Sequence, residues 1–195
     1  MKVRSKRQDA QANRERVLDA ALDVFSEQGI EGSTETIATR AGVGVATVFR
    51  HFPSKRELLE AALERMITQL AESLEQLAER EDAEEAFFEA LERVVERAGT
   101  KKALAEGLSG LGEPIRSRVW SSQLRSSLTR LLERAQQAGA VRDDIGIDEL
   151  SAVLVAAART IEHTRGDPEL HARVLRVIFD GLRPAGAARR ALRQT

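Results

Sequence analysis

Four residues, Ala41-Gly42-Val43-Gly44, constrain the fold of this chain more than any others. The stretch is too short and too rich in glycine to continue a helix, yet apolar residues at helical spacing flank it on both sides, so it reads as a tight turn between two short helices. Before it, Ile37, Ala38 and Ala41 face inward from a helix that either Ser33 or Thr34 can cap. After it, Val45 to His51 form another, which Pro53 breaks. This is the helix-turn-helix pattern.

The pattern needs a core, and the rest of the sequence supplies helices to build one. A first helix is expected from Asp9 or Asn13 to Gln28, with Val17, Leu18, Ala21, Leu22 and Phe25 on one face and Gly29 as its stop. Ser54-Lys55-Arg56-Glu57 reads as a capping box, serine and glutamate satisfying each other's backbone donors, and opens a long helix that runs to about Glu79. Further helices are expected at about Ala83–Ala98, Lys101–Leu108, Pro114–Ala138, Ile147–Thr164 and Pro168–Leu182, with Gly99 among the breaks. Asp167 before Pro168 is an N-cap followed by proline at the first helical position. No strand pattern competes, so the fold class is all-α. The expected division is a head over residues 1–56, a helical body over 57–183 and a frayed basic tail over 184–195.

Composition narrows the function. Of 195 residues, 42% are hydrophobic, 31% charged and only four are proline, which suits a packed helical chain and argues against disorder. Cysteine is absent, so disulfides, thiolate metal sites and cysteine nucleophiles are excluded, and a reducing cytoplasm is the expected location. Met1 to Arg7 is basic with no apolar run behind it, and reads as neither a secretory signal nor a membrane span. The net charge of −1 is unevenly spread: ten basic residues stand against seven acidic ones up to Arg56, leaving the head positive and the body negative. The three histidines, His51, His163 and His171, lack metal-ligand spacing, and no phosphate-binding glycine loop or nucleophile elbow occurs. Neither an enzyme nor a metal or cofactor site is therefore expected.

The stretch RERVLDAALDVFSEQGIEGSTETIATRAGVGVATVFRHFPSKRELL, Arg14 to Leu59, resembles the amino-terminal domain of the TetR family of regulators. Ala20-Ala21 followed by Phe25 and Gly29 match its first helix, and Ile37-Ala38 before Ala41-Gly42-Val43 match its second. Thr47, Phe49, His51, Phe52 and Lys55 fall on its recognition helix and the start of its fourth helix. From FFEALERVVERAGTKKALAEGL onward the body is similar to the SbtR-like class of carboxy-terminal domains. Three positions depart from the family pattern: Gly44 replaces the usual serine, Val45 a frequent lysine and Phe49 the usual tyrosine, in a chain that has no tyrosine at all. The second helix is also one residue short, which leaves open which of Ser33, Thr34 and Thr36 meets DNA.

The resemblance implies a homodimer that binds a palindromic DNA operator, usually as a repressor, and is released by a small-molecule effector. Val45, Ala46 and Thr47 are small enough to approach thymine methyls in a major groove about 12 Å wide, but none offers bidentate pairing to a base. Specificity is therefore expected to lean on Arg40, Arg50, the arm Lys2 to Arg7 and DNA shape, with Lys55 on a phosphate. The arm can equally serve as a solubilising tail, and Phe49 suits either the core or the phosphate face. The candidate DNA contacts are Ser33, Thr34, Arg40, Gly44, Val45, Ala46, Thr47, Phe49, Arg50, His51 and Lys55.

For the effector, apolar Phe88, Trp120, Leu124 and Leu128 and polar Arg125, Arg159 and His163 are the candidates, with Trp120 foremost. For the dimer interface, which the resemblance places on the last two helices, they are Leu150, Leu154, Ala157, Ile161, Val174 and Ile178. The competing reading of the same stripes is an intramolecular core. The competing reading of the whole chain is a helical ligand- or protein-binding module with no specific DNA target.

Overall fold

The computed structural model describes residues 6–110, 122–164 and 167–184. Every regular element among them is helical: α1 Lys6–Gln28, a 3₁₀ turn at Gly29–Glu31, α2 Thr34–Ala41, α3 Val45–His51, α4 Lys55–Ala78, α5 Ala83–Gly110, α6 Ser122–Gln137, α7 Ile147–Thr164 and α8 Pro168–Asp180. The all-α fold, a helix-turn-helix head followed by a helical body, is the one the periodicity predicts.

The chain packs as two compact units, and both α4 and α5 contribute to each. The first unit contains α1 to α3, α4 as far as Thr68 and α5 from Thr100 onward. Its core is built from Val17, Ala21, Leu22 and Phe25 of α1, Ile37 and Ala38 of α2, Val48 of α3, Leu59, Ala62 and Met66 of α4 and Leu104 of α5. Arg65 of α4 adds an ion pair to Asp19 of α1 at 3.2 Å. The second unit has its own core, drawn from Leu74 and Leu77 of α4, Phe87, Leu91 and Val95 of α5, Leu124, Leu128 and Leu131 of α6, Leu150 and Leu154 of α7 and Phe179 of α8.

One boundary differs in kind from expectation. Gly99 does not break a helix; α5 runs through it as one element of 28 residues. A glycine in a helix interior costs about 1 kcal/mol relative to alanine. Fully buried Val95 on one side and Leu104 on the other outweigh that cost, because each anchors its stretch of helix in a core. Smaller differences occur at ends: α1 begins earlier, at Lys6, and α8 stops at Asp180. The start expected at Pro114 lies outside the described residues. At α8 the expected cap is present, Leu170 N–H donating to the Asp167 carboxylate at 2.8 Å with Pro168 in the first turn.

The carboxyl end of α4 is closed by arginines from α6. Arg134 donates to the Ala78 and Arg80 carbonyls and Arg130 to the Glu79 carboxylate, so carbonyls that the helix leaves without internal partners are satisfied from a neighbouring helix. Arg80 in turn pairs with Glu85 at 2.8 Å and with Glu89, which also holds Arg93.

Candidate nucleic-acid interface

The turn at Ala41-Gly42-Val43-Gly44 has the geometry its glycines allow. Gly42 sits at φ +65°, ψ +37°, a left-handed conformation that costs a side-chain-bearing residue about 1–2 kcal/mol. Its N–H returns to the carbonyls of Ala38 and Thr39, and Val43 N–H donates to Ala38 at 3.0 Å, which closes the end of α2. Gly44 then adopts an extended conformation, and its carbonyl starts α3 by accepting from Thr47 N–H at 2.8 Å. No side chain caps α3, a direct consequence of glycine standing where serine is usual.

Val48, and Phe52 just past the helix end, are buried in the core of the first unit, and half-buried Val45 packs against the same core. At 100° per residue the direction opposite Val48 belongs to Ala46 and Arg50, with Thr47 and Phe49 on the two flanks. The accessibility agrees, with Ala46, Phe49 and Arg50 exposed and Val45, Thr47 and His51 half-buried. Phe49 thus stands outside the core, 49% exposed, whereas Phe52 is inside it beneath the Arg14 guanidinium, 5.2 Å from the ring centre. His51 lies against Phe52, their ring centres 6.4 Å apart.

At the start of α2, Ser33 is the cap: its Oγ accepts from Thr36 N–H at 3.1 Å and shares a hydrogen bond of 3.0 Å with the Thr36 hydroxyl. Thr34, the first helical residue, is half-buried. Arg40 in the last turn donates through both terminal nitrogens to both carboxylate oxygens of Glu27, 2.8 Å each. These hydrogen bonds hold the Glu27 carboxyl below its ordinary range and raise the Arg40 guanidinium above its own. Lys55, exposed, is the first residue of α4. Ser54 caps that helix by accepting from Glu57 N–H at 3.2 Å. The Glu57 carboxylate accepts from the serine hydroxyl at 3.3 Å instead of from the serine backbone, so the box differs in one half from the expected one. A hydroxyl that can donate and accept at once makes this possible.

The effector candidates of the second unit are dispersed. Leu124 and Leu128 are buried in its core, and Phe88 is half-buried, edge-on to Phe87 at 5.3 Å and covered by the Arg183 guanidinium at 4.3 Å. Arg125 is exposed and pairs with Asp148 at 2.8 Å, and Arg159 is exposed on α7. A surface cleft of about 450 Å³ lies between α4 and α6, lined by Glu72, Glu75, Gln76, Glu79, Ser127 and Arg130 among others, and by none of the effector candidates. The basic arm up to Ser5, Trp120, the tail beyond Pro184 and the side chains of Ile161 and His163 lie outside the described residues.

Of the dimer candidates, Leu150, Leu154 and Ala157 are buried within the single chain, while Val174 and Ile178 are half-buried on α8. Among the described residues, the large apolar side chains that α7 and α8 leave exposed are Val155 at 47%, Leu170 at 37% and Val177 at 73%. On α8 spacing groups exposed Leu170 and Val177 with half-buried Val174 and Ile178 on one apolar stripe.

A short helix after a glycine turn, packed on one side into a helical core and open on the other, defines a helix-turn-helix protein. Residues 17–62 match the family model for bacterial regulatory proteins of the tetR family, and residues 82–184 match that for the carboxy-terminal domain of SbtR-like transcriptional regulators. The TetR transcription regulatory protein of Mycobacterium vanbaalenii, known from a crystal structure, is 34% identical over 92% of this chain and 100% of its own, with a TM-score of 0.73. The TetR transcriptional regulator SCO0520 of Streptomyces coelicolor is 32% identical, covering 88% of this chain and 99% of its own, with a TM-score of 0.75. Among curated relatives, the HTH-type transcriptional regulator SrpR of Pseudomonas putida is 45% identical over 56 residues, a match spanning 28% of this chain and 26% of that protein. The chain belongs to the TetR family.

Proposed function

We infer that the protein is a dimeric transcriptional repressor that binds a palindromic operator through α2 and α3 and is released from it by a small-molecule effector. The observation that carries this reading is the open face of α3: Val48 and Phe52 are the side chains it commits to the core, and Ala46, Phe49 and Arg50 are left outward on a head that is net positive in a chain of net charge −1. Family membership supports the same reading. Thr47 and Lys55 supply the phosphate contacts, and the hydroxyls of Ser33 and Thr34 at the start of α2 add to them.

A single head neutralises few phosphates, so a second copy is needed for useful affinity. The dimer forms through α7 and α8, where Val155, Leu170 and Val177 offer exposed apolar surface and Val174 and Ile178 border it. The effector binds in the second unit, in the region of Phe88, Leu124 and Leu128. It acts by its difference in affinity between the operator-bound and released states. The activity is binding and release without catalysis, which fits a family of regulators. No helix among the described residues is long and apolar enough to cross a membrane.

The test is selection of bound duplexes from a random library, followed by titration of the winner with wild type, Thr47→Ala and Lys55→Ala. The expected result is a palindromic winner whose affinity falls several-fold in each variant, since a charge-assisted or hydroxyl contact to phosphate contributes about 1 kcal/mol or more. Absence of enrichment over random DNA refutes the operator reading and favours a binding module without a DNA target.

A further inference from the structure

The outward face of α3 is unusual for a surface that reads base edges through hydrogen bonds. Ala46 and Phe49 carry no donor or acceptor, Thr47 carries one hydroxyl, and Arg50 is the one residue of the face with several donors. Phe49 is the largest apolar side chain on it and one of four large hydrophobics exposed among the described residues. Its exposure has no explanation in packing, because Val48 and Phe52, with Val45 half-buried beside them, already fill the inward side of α3.

An exposed apolar side chain in a major groove gains from contact only where a base edge is itself apolar. Of the four bases, thymine presents such a group, the C5-methyl, beside its O4 acceptor. The geometry points to thymine-methyl readout: Ala46, at the amino-terminal part of α3 where helix-turn-helix proteins meet base edges, and Phe49, one turn further on the flank, select operator positions by contact with thymine methyls. This rests on the operator-binding reading and deepens it by naming the chemical group recognised. Arg50, next to Phe49 in sequence and outward on the face, is left to read or hold a purine edge or a phosphate. The absent serine cap agrees with this division, since Gly44 lets the first turn approach the groove without a polar side chain in the way.

The prediction is separable from shape readout, because deoxyuridine removes the C5-methyl and keeps every hydrogen-bonding atom of thymidine. The duplex selected from the random library by the wild type is resynthesised with deoxyuridine in place of one thymidine at a time, and binding is measured at fixed salt. Symmetric positions in each half-site are expected where the change raises Kd about fourfold, the effect of uncovering one methyl-sized group. In Phe49→Ala the penalty vanishes at the position under Phe49 and persists at the position under Ala46, whereas Phe49→Leu retains both. Thermal melting of the three proteins should coincide within a few degrees, because Phe49 lies outside the core. A duplex fully substituted with deoxyuridine that binds as tightly as the original overturns methyl readout while leaving the operator reading intact. Penalties unchanged in Phe49→Ala overturn the assignment to Phe49. If no duplex is enriched at the start, the operator reading fails and this inference fails with it.

Discussion

The ion pair between Arg40 and Glu27 is the feature of the head with a pH signature. Hydrogen bonds from Arg40 are the main cause of the lowered Glu27 pKa, whose ordinary value is 4.5. A carboxylate with a lowered pKa in the folded state contributes stability above its unfolded value, and that contribution disappears as pH falls through the folded value. Thermal melting of wild type and Glu27→Gln from pH 7 to pH 3 should therefore show a wild-type advantage at neutral pH that narrows below about 4.5 and vanishes once Glu27 is protonated; a gap constant with pH refutes it. The pair is open to solvent, so the advantage is small and salt-sensitive. Neither partner could be matched from sequence, since thirteen positions and a turn separate them. Gly32 was missed for a similar reason: it looks like a loop glycine, but a Cβ there would run into the Val24 side chain, a close approach visible only once α1 and the loop are placed.

Elements were more legible than their partners. Both ends of α2 and the starts of α4 and α8 follow from Ser33, Gly42, Ser54, Asp167 and Pro168, because caps act through residues close in sequence. Gly99 misled because its local cost is set against burial of Val95 and Leu104, which depends on distant residues. On α7 the stripe read from spacing, Leu150, Leu154 and Ala157, is buried within the single chain, and exposed Val155 lies outside it. The cap of α4 links an element to the proposed phosphate contact, for it fixes the first turn that carries Lys55. Ser54→Ala should cost about 1 kcal/mol in denaturant unfolding and also weaken operator binding, while Ser54→Asp, which can still accept from Glu57 N–H, should keep most of the stability. Unchanged stability in Ser54→Ala would show the cap to be dispensable.

For the whole molecule, the proposed dimer rests on the exposed residues of α7 and α8. A glutamate at position 177 places charge on the apolar face while leaving the core of the second unit untouched, Val177 being 73% exposed. Val177→Glu is expected to shift the protein from dimer to monomer by light scattering at micromolar concentration, with its helical circular dichroism retained, and to lose operator affinity far more steeply than Thr47→Ala. A dimer of unchanged stability would place the interface elsewhere. The attachment of α3, by buried Val48 and Phe52 with Val45 half-buried beside them, has a consequence over longer times. Positions 46, 49 and 50 bear little of the cost of folding, so mutations there are screened by what they bind far more than by whether the protein survives. A lineage carrying this head can change operators by single steps through viable intermediates, and the sequences of such proteins should diverge on the outward face of α3 sooner than at its two anchors.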